Sequence, residues 1–272
     1  MALKKRVSKA GQYYDKIADH YEEDYSRDPY WRLYHDITWA DIKRHLPKDK
    51  KSLIIDVGGG TGFWARKIAK LGYAVVVTDI SEKMLKIGKA KAKRAGLSKR
   101  MFFTYADIVD MKDQRSGRYD LVICQGDPLS YCSDQGKAAK ELVRIAKPGA
   151  KMIASVDNFF TAVHRGLAYP GMLKKLPALE KTHVSDFFDI HPQYNFLPEE
   201  LKSLFQNNGC EVISLIGKPV FAHRSWLKEN PDLLRKSYNK VLALEKKYNS
   251  HPSLVGSGGH IQIVVMKARK KL

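Results

Sequence analysis

The run LIIDVGGGTGFWARKIAKLGYAVVVTDI, from Leu53 to Ile80, constrains the fold more than any other part of the chain. It begins as an apolar strand, passes through a glycine turn into a helical segment, and ends in a second apolar strand. An aspartate stands at the tip of each strand, Asp56 in the first and Asp79 in the second. A strand, a helix and a second strand of this length predict a βαβ unit, which belongs to a parallel sheet.

The alternation of strands and helices continues to residue 157, so the sequence predicts an α/β fold with a parallel sheet covered by helices on both faces. Two further strands follow the irregular segment 158–195. The predicted strands are 53–57, 74–79, 101–107, 119–125, 151–157, 211–217 and 260–267, and the predicted helices near them are 62–71, 82–95, 134–146, 198–209 and 231–248.

Two segments depart from this rhythm and define the domain organisation. Residues 12–46 are predicted to be helical, with Pro29 at the start of a second helix. We therefore expect a helical cap over residues 1–47 and a main α/β domain over 48–272, with an insertion at about 158–195.

The charge of the chain allows a polyanionic partner without requiring one. Lysine and arginine number 48 against 29 acidic residues, a formal net charge of +19, and the stretch Lys83–Arg100 is strongly basic. A solvated helix face is the commoner meaning of such a run, and RNA binding is the alternative. No apolar run is long enough to span a bilayer and no secretion signal is visible, so we expect a cytoplasmic protein. The 3 cysteines form no metal-ligand or disulfide pattern, and we expect no metal.

Two cofactors compete for the glycine turn. Gly60, Gly62 and Ala65 satisfy the dinucleotide pattern G-x-G-x-x-[GA], whereas Gly58, Gly60 and Gly62 satisfy G-x-G-x-G. The carboxylate of Asp56 favours the second pattern, because it would repel a pyrophosphate and suits a ligand with a cationic end, such as an ammonium or a sulfonium.

At this point the sequence resembles the class I S-adenosylmethionine-dependent methyltransferases, near the ubiquinone/menaquinone-type small-molecule group. The resemblance spans about residues 52–217. It implies a Rossmann-like, seven-stranded, mostly parallel sheet with an antiparallel last strand, and S-adenosyl-L-methionine as the cofactor. The segments that carry it are IIDVGGGTGFWARKIAKLGYAVVVTDIS, YADIVDM, YDLVICQGDPLSYC, ELVRIAKPGAKMIASVDN and FLPEELKSLFQNNGCEVISLIG.

The resemblance assigns cofactor-binding roles residue by residue. It implies that Asp56 assists at the ammonium group, often through water, that Asp79 accepts hydrogen bonds from the ribose hydroxyls, and that Asp107 accepts one from the adenine amino group. The whole set is Asp56, Gly58, Gly60, Gly62, Asp79, Ile80, Asp107, Ile108, Gln125 and Gly126.

The methyl acceptor is expected under the two irregular segments, where aromatic side chains accompany a few polar ones. The reaction predicted is methyl transfer to an O, N, S or C atom of a small molecule; an RNA methyltransferase and a non-catalytic cofactor-binding protein are the alternatives. His183, His191 and Tyr14 are the candidate catalytic residues. The candidate acceptor-binding residues are Tyr14, Tyr21, Tyr25, His164, Arg165 and Tyr194.

Overall fold

The structure is a computed structural model that describes residues 9–23, 28–168, 170–187, 191–223 and 231–269. Its strands, numbered in chain order, follow the apolar runs of the sequence closely. They are β1 Leu53–Val57, β2 Ala74–Asp79, β3 Met101–Tyr105, β4 Tyr119–Cys124, β5 Ala146–Asp157, β6 Val184–Phe187, β7 His191–Tyr194, β8 Cys210–Lys218 and β9 His260–Lys267.

Seven of these strands form one sheet in the order β3-β2-β1-β4-β5-β9-β8. The first five strands pair in parallel, whereas β9 runs antiparallel to both of its neighbours, β5 and β8. The Rossmann-like sheet with an antiparallel last strand, as predicted, is therefore confirmed. The chain order reverses between β1 and β4, and in open α/β sheets ligands bind beyond the strand ends at that point.

Helices cover both faces of the sheet and extend beyond its ends. They are α1 Lys9–Ile17, α2 Pro29–His45, α3 Phe63–Lys70, α4 Glu82–Arg94, α5 Pro128–Tyr131, α6 Gln135–Ile145, α7 Phe159–Ala168, α8 Leu176–Thr182, α9 Pro198–Gln206, α10 Pro231–Tyr248 and α11 Pro252–Val255, with a 3-10 helix at Pro170–Lys175. Among the described residues, no helix has both the length and the apolar character needed to cross a bilayer.

The sheet separates two apolar cores because successive side chains of a strand point to opposite faces. In β1, Ile55 belongs to the core beneath α6 and α9, while Ile54 belongs to the core beneath α3 and α4. Both side chains are fully buried. Burial of each isoleucine contributes about 1.5–3 kcal/mol. A third, smaller core joins α2 to α10 through Leu33, Ile37 and Leu234.

Side-chain caps fix the helices that border the site. The hydroxyl of Ser81 accepts a hydrogen bond from Met84 N at 3.0 Å and begins α4. Asp134 caps α6 by accepting from Lys137 N at 2.8 Å. Such caps satisfy backbone N–H groups that have no partner inside the helix.

Several predicted elements differ by a few residues at their ends, and two places differ more. The strand β5 begins at Ala146 rather than at residue 151, because Ala146 pairs with Tyr119 before the register shifts. The segment 158–195, predicted only as an irregular insertion, contains α7, the 3-10 helix, α8 and the antiparallel hairpin of β6 and β7.

Candidate active site

The glycine turn after β1 adopts a backbone that side chains disfavour. Gly58 and Gly60 have φ values of 66° and 54°, in the left-handed region. A Cβ atom at Gly58 would overlap the ring of Pro128, so the turn packs directly on the start of α5. The N–H of Gly59 donates to the carbonyl of Thr78 at 3.0 Å and ties the turn to β2.

Asp56 lies beneath this turn and does not point into the space above it. Its side chain is fully buried, and a Cβ atom on Gly59 would come within 2.6 Å of its carboxylate carbon. Burial raises the pKa of Asp56 to about 7, against the opposing effects of the Ala65 N–H and Arg66. The role at the ligand ammonium that the resemblance implies for Asp56, often through water, stays a prediction.

Eight of the ten residues predicted to bind the cofactor surround one compartment, which we call the cofactor compartment. The carboxyl ends of β1 to β4 bring them together from distant parts of the sequence. Asp56 and Gly62 are not in its lining, the latter because it caps the N-terminus of α3. The eight are Gly58, Gly60, Asp79, Ile80, Asp107, Ile108, Gln125 and Gly126.

Asp79 anchors the wall of the cofactor compartment. Its Oδ2 accepts from Gly60 N at 2.8 Å, and its Oδ1 accepts from Ser81 N at 2.8 Å. Burial raises the pKa of Asp79 to about 6, although the hydrogen bonds from Ser81 and Gly60 oppose this rise. Each carboxylate oxygen has a second lone pair, so the side chain can also accept from a pair of ligand hydroxyls.

The N-terminal segment closes the cofactor compartment. Tyr14 and Tyr21 line it, and the same two rings line a larger cavity on the other side. Asp15 accepts a hydrogen bond from the Ser81 hydroxyl at 2.5 Å, which holds α1 against the start of α4. Of the tyrosines predicted here, Tyr25 lies outside the described residues.

The larger cavity, which we call the acceptor cavity, has a volume of about 1610 Å³ and meets the cofactor compartment at Gln125 and Gly126. His164 and Arg165, predicted to bind the acceptor, line it. Tyr194 is not in the lining, since its ring packs against Phe196. The aromatic lining consists of Tyr13, Tyr14, Tyr21, Tyr30, Trp31, Tyr34, Phe63, Trp64 and Tyr131.

Of the three candidate catalytic residues, Tyr14 alone is in the lining of the acceptor cavity. His183 ends α8, and its Nδ1 lies 3.1 Å from Glu200 Oε2. His191 is buried behind the cavity wall, where its ring contacts those of Tyr14 and Tyr131, and burial lowers its pKa. Neither histidine is in the lining of the acceptor cavity, and a role for either as the base stays a prediction.

Three residues absent from the predicted site meet at the base of the acceptor cavity. Asp127 follows β4, Asp157 ends β5 and His260 begins β9, and all three are buried. His260 Nδ1 lies 3.0 Å from Asp127 Oδ2 and 3.8 Å from Asp157 Oδ1. The register of β5 with β9 places Asp157 opposite His260, and that antiparallel pairing leaves no local signal in the sequence.

Burial and mutual charge set the ionisation of this group. Burial and the neighbouring Asp127 carboxylate raise the pKa of Asp157 to about 6. Burial opposes ionisation of Asp127 as well, but His260 holds the pKa of that carboxyl below its ordinary value. The arrangement therefore favours an ionised Asp127 beside an Asp157 that can hold a proton.

A buried lysine lies beside Gln125, the residue that follows β4. The Nζ of Lys218 donates to Gln125 Oε1 at 2.9 Å, to Gln262 Oε1 at 2.7 Å and to Thr38 Oγ1 at 3.0 Å. Burial lowers its pKa to about 7, against the attraction of Asp127. Gln125, predicted to border the cofactor, is thus held in place by a residue that the sequence analysis did not single out.

Comparison with known proteins agrees with this geometry. A family model described as a methyltransferase domain matches residues 54–149, which include the glycine turn, Asp79, Asp107 and Gln125. The tRNA 5-carboxymethoxyuridine methyltransferase of Escherichia coli K12 is 24% identical over 94% of this chain and 98% of its own length. A ubiquinone/menaquinone biosynthesis C-methyltransferase of Psychromonas ingrahamii is 27% identical over 65% of this chain and 74% of its own.

Solved structures share the fold at low sequence identity. The [4+2]-cyclase SpnF superposes with a TM-score of 0.62 at 16% identity, over 96% of this chain and 95% of its own. At this identity the likeness shows the fold alone, while the methyltransferase-domain match and the curated methyltransferase relatives confirm the family, the enzyme class and the cofactor that the resemblance implied.

Proposed function

We propose that this chain, which is a class I S-adenosylmethionine-dependent methyltransferase, transfers the methyl group to an O, N, S or C atom of a small molecule in the acceptor cavity. The observation that supports this is the cavity itself, which is walled by aromatic rings and opens onto the cofactor compartment at Gly126. Pockets for single small ligands measure about 300–1,000 Å³. The acceptor cavity, at about 1610 Å³, is therefore larger than a single small acceptor needs.

The residues of the cofactor compartment fit S-adenosylmethionine by their chemistry. Asp79 offers carboxylate oxygens to hydroxyl groups, and Asp107 retains oxygens for an amino group, since a single bond from Val109 N at 3.1 Å occupies its Oδ1. When bound, this cofactor supplies an activated methyl group on its sulfonium sulfur.

The protein then has to position the donor and the acceptor and to exclude water. Tyr14 and Tyr21 line both spaces, so their rings are available to both donor and acceptor. Gly126 lies where these spaces meet, and it has a φ of 82°, so no side chain obstructs the passage. Asp157, whose pKa is raised to about 6, is the group of the cavity best placed to receive a proton from an acceptor.

The second candidate acceptor is RNA, which two observations favour. The bacterial relative that covers almost the whole chain is named for a modified tRNA uridine. In addition, α4 exposes Lys86, Lys89 and Lys93 to solvent. An exposed basic helix can contact phosphates, and a nucleoside extruded from an RNA loop could enter the acceptor cavity.

Tritiated S-adenosylmethionine offered with a metabolite extract and, separately, with total tRNA distinguishes the two acceptors. The proposal predicts label in the metabolite fraction that persists after ribonuclease treatment. Label in tRNA alone would replace the small molecule with RNA. Absence of both label and S-adenosylhomocysteine binding, measured by calorimetry, would contradict either form.

A charge-reversal triple variant tests whether α4 contacts RNA. Lys86→Glu, Lys89→Glu and Lys93→Glu together would abolish transfer to tRNA if α4 binds phosphates, with cofactor binding retained. The matched control places the same charge change on the exposed side of α10, at Lys236, Lys240 and Lys246. Equal transfer by both triple variants would exclude α4 as the RNA contact.

A further inference from the structure

We propose that Asp127, Asp157 and His260 bind a divalent metal ion at the base of the acceptor cavity, and that the ion holds hydroxyl or carboxylate oxygens of the acceptor. The inference rests on the proposed function, because it names the chemical class of the acceptor at the same site. It also revises the expectation, drawn from the sequence, that no metal is involved.

The geometry of the three side chains carries the proposal. One ligand atom from each, two carboxylate oxygens and an imidazole nitrogen, lie within 4.8 Å of one another. The 3.0 Å separation of His260 Nδ1 from Asp127 Oδ2 equals the spacing of neighbouring ligands around one ion. Metal–ligand bonds of about 2.0–2.2 Å at right angles give ligand separations of about 3 Å.

Unsatisfied carboxylate oxygens provide the second observation. Asp127 Oδ1 and Asp157 Oδ2 are buried and have no hydrogen-bond partner within the part of the chain that the structure describes. The two residues are each 3% exposed. A buried carboxylate oxygen without a partner is costly, and a cation bound by these side chains would offset that cost.

Apart from His260, whose Nδ1 lies 3.0 Å from Asp127 Oδ2, no basic side chain among the described residues hydrogen-bonds to this pair. Lys218 directs its Nζ to Gln125, Gln262 and Thr38, and none of these bonds goes to Asp127. Arg165 lowers the pKa of Asp157 through its charge, without a hydrogen bond to that carboxylate among the described residues.

The backbone holds the ligands rigidly. Asp157 and His260 lie on adjacent strands at paired positions, and the N–H of Asp157 donates to Ser130 Oγ at 2.9 Å. The ring of Tyr34 packs against His260 with the centroids 5.0 Å apart. Ligands fixed in this way need little rearrangement to bind an ion.

The ligand set indicates which ion and which acceptor. Two carboxylates and one imidazole suit a first-row divalent ion such as Mn²⁺, and three protein ligands leave coordination positions open. Asp127 follows Gly126, where the two spaces meet, so oxygens on the open positions would lie beside the donor. An acceptor with a hydroxyl or carboxylate oxygen is therefore the class that the site would bind.

Titration of the protein with Mn²⁺, followed by calorimetry and by water proton relaxation, tests the site without any acceptor. We expect one saturable Mn²⁺ site per chain and enhanced water relaxation, since water occupies the open positions. Asp157→Asn and His260→Ala each should weaken binding by about tenfold or more. Asp186→Asn, a change of another cavity-lining aspartate, is the matched control and should leave the affinity unchanged.

Binding of S-adenosylhomocysteine and the melting temperature, measured on the same samples, establish that each variant is folded. Absence of saturable Mn²⁺ binding by the wild type, or equal binding by Asp157→Asn, would overturn the proposal. Loss of the metal site with methyl transfer to a metabolite intact would leave the proposed function standing. Saturable Mn²⁺ binding without methyl transfer to any small molecule would support the metal site and contradict the proposed function.

Discussion

The carboxylate of Glu22 binds the guanidinium of Arg66 through both of its oxygens, each 2.8 Å from Nη2. Lys91 Nζ lies 3.0 Å from the same carboxylate, and the Thr61 hydroxyl donates to it. One side chain of the N-terminal segment is thus joined to α3, to α4 and to the glycine turn. Burial by itself would raise the pKa of Glu22, but the bonds from Thr61 and Arg66 hold it below its ordinary value.

We expect Glu22→Gln to loosen the N-terminal segment, because an amide cannot accept charge-assisted bonds with both of its polar atoms. The free energy of unfolding at pH 7 should fall by about 1–3 kcal/mol in urea denaturation. S-adenosylhomocysteine should also dissociate faster, as stopped-flow measurement would show. The exposed Glu211→Gln is the control; a loss no larger than that of the control would mean that the segment is held by other contacts.

Asp79→Asn should weaken S-adenosylhomocysteine binding by about 10- to 100-fold in calorimetry. The amide has one acceptor oxygen in place of two, so it cannot serve Gly60 N, Ser81 N and ligand hydroxyls together. Asp110→Asn makes the same chemical change at an exposed position paired with Lys112, and its affinity should match the wild type. Equal affinities of the two variants would remove Asp79 from the cofactor site.

Gly58→Ala and Gly96→Ala separate backbone strain from steric overlap. Both glycines have positive φ, 66° and 71°, so each alanine costs about 1–2 kcal/mol. Only Gly58 faces an obstacle, the ring of Pro128, whereas nothing lies within 4 Å of a Cβ at Gly96. We expect Gly58→Ala to lose a further ~1–3 kcal/mol in calorimetric melting. Identical melting temperatures would show that the turn and α5 are not packed as described.

Asp56→Asn should alter how stability depends on pH. The pKa of Asp56 is raised from 3.8 to about 7 in the folded protein, so the folded state holds a proton that the unfolded state releases between these values. The stabilisation from this proton is complete below pH 4 and is lost as the pH rises through 7. The neutral amide avoids that loss, so the variant should exceed the wild type in unfolding free energy at pH 8, by roughly 1–3 kcal/mol.

Near pH 5 the two proteins should differ much less, because Asp56 is then protonated in the fold. Urea denaturation at both pH values checks this. Asp110→Asn, at its exposed position, should show no such difference between the two pH values. If Asp56→Asn were less stable than the wild type at pH 8, the buried carboxylate would have partners stronger than the Ala65 N–H and Arg66.

Local pattern predicted those parts of the molecule whose structure is set locally. The strands β1, β2 and β9 begin and end at the predicted residues, because apolar runs between turn residues define them. The same pattern brought Asp79 and Asp107 to one compartment, since carboxyl ends of parallel strands share one edge of a sheet. The strand β5 was predicted to begin after Pro148 and Gly149. It begins earlier, because Ala146 pairs with Tyr119.

Residues that meet through long-range pairing were not predictable in this way. His260 reaches Asp157 through the antiparallel register of β5 and β9, across about a hundred residues of chain. His183 and His191 are candidates by chemical type in an irregular segment, and their packing against Phe159 and Tyr131 could not be predicted from local pattern. The periodicity of apolar residues shows which face of a helix or strand is buried. It does not show which other helix or strand packs against that face.

The hydrogen bonds of Lys218 bear on where this protein could be divided. Its partner Thr38 lies on α2, and Gln262, another partner, donates to Asp41 of α2 at 2.7 Å. A fragment that began after residue 47 would therefore lack hydrogen-bond partners for the Lys218 ammonium and the Gln262 amide. It would also expose the apolar side chains around Ile216 that α2 covers. The N-terminal helices precede the first strand, but we expect the main domain to need them for a stable fold. Any truncated or chimaeric form of the enzyme should therefore retain them.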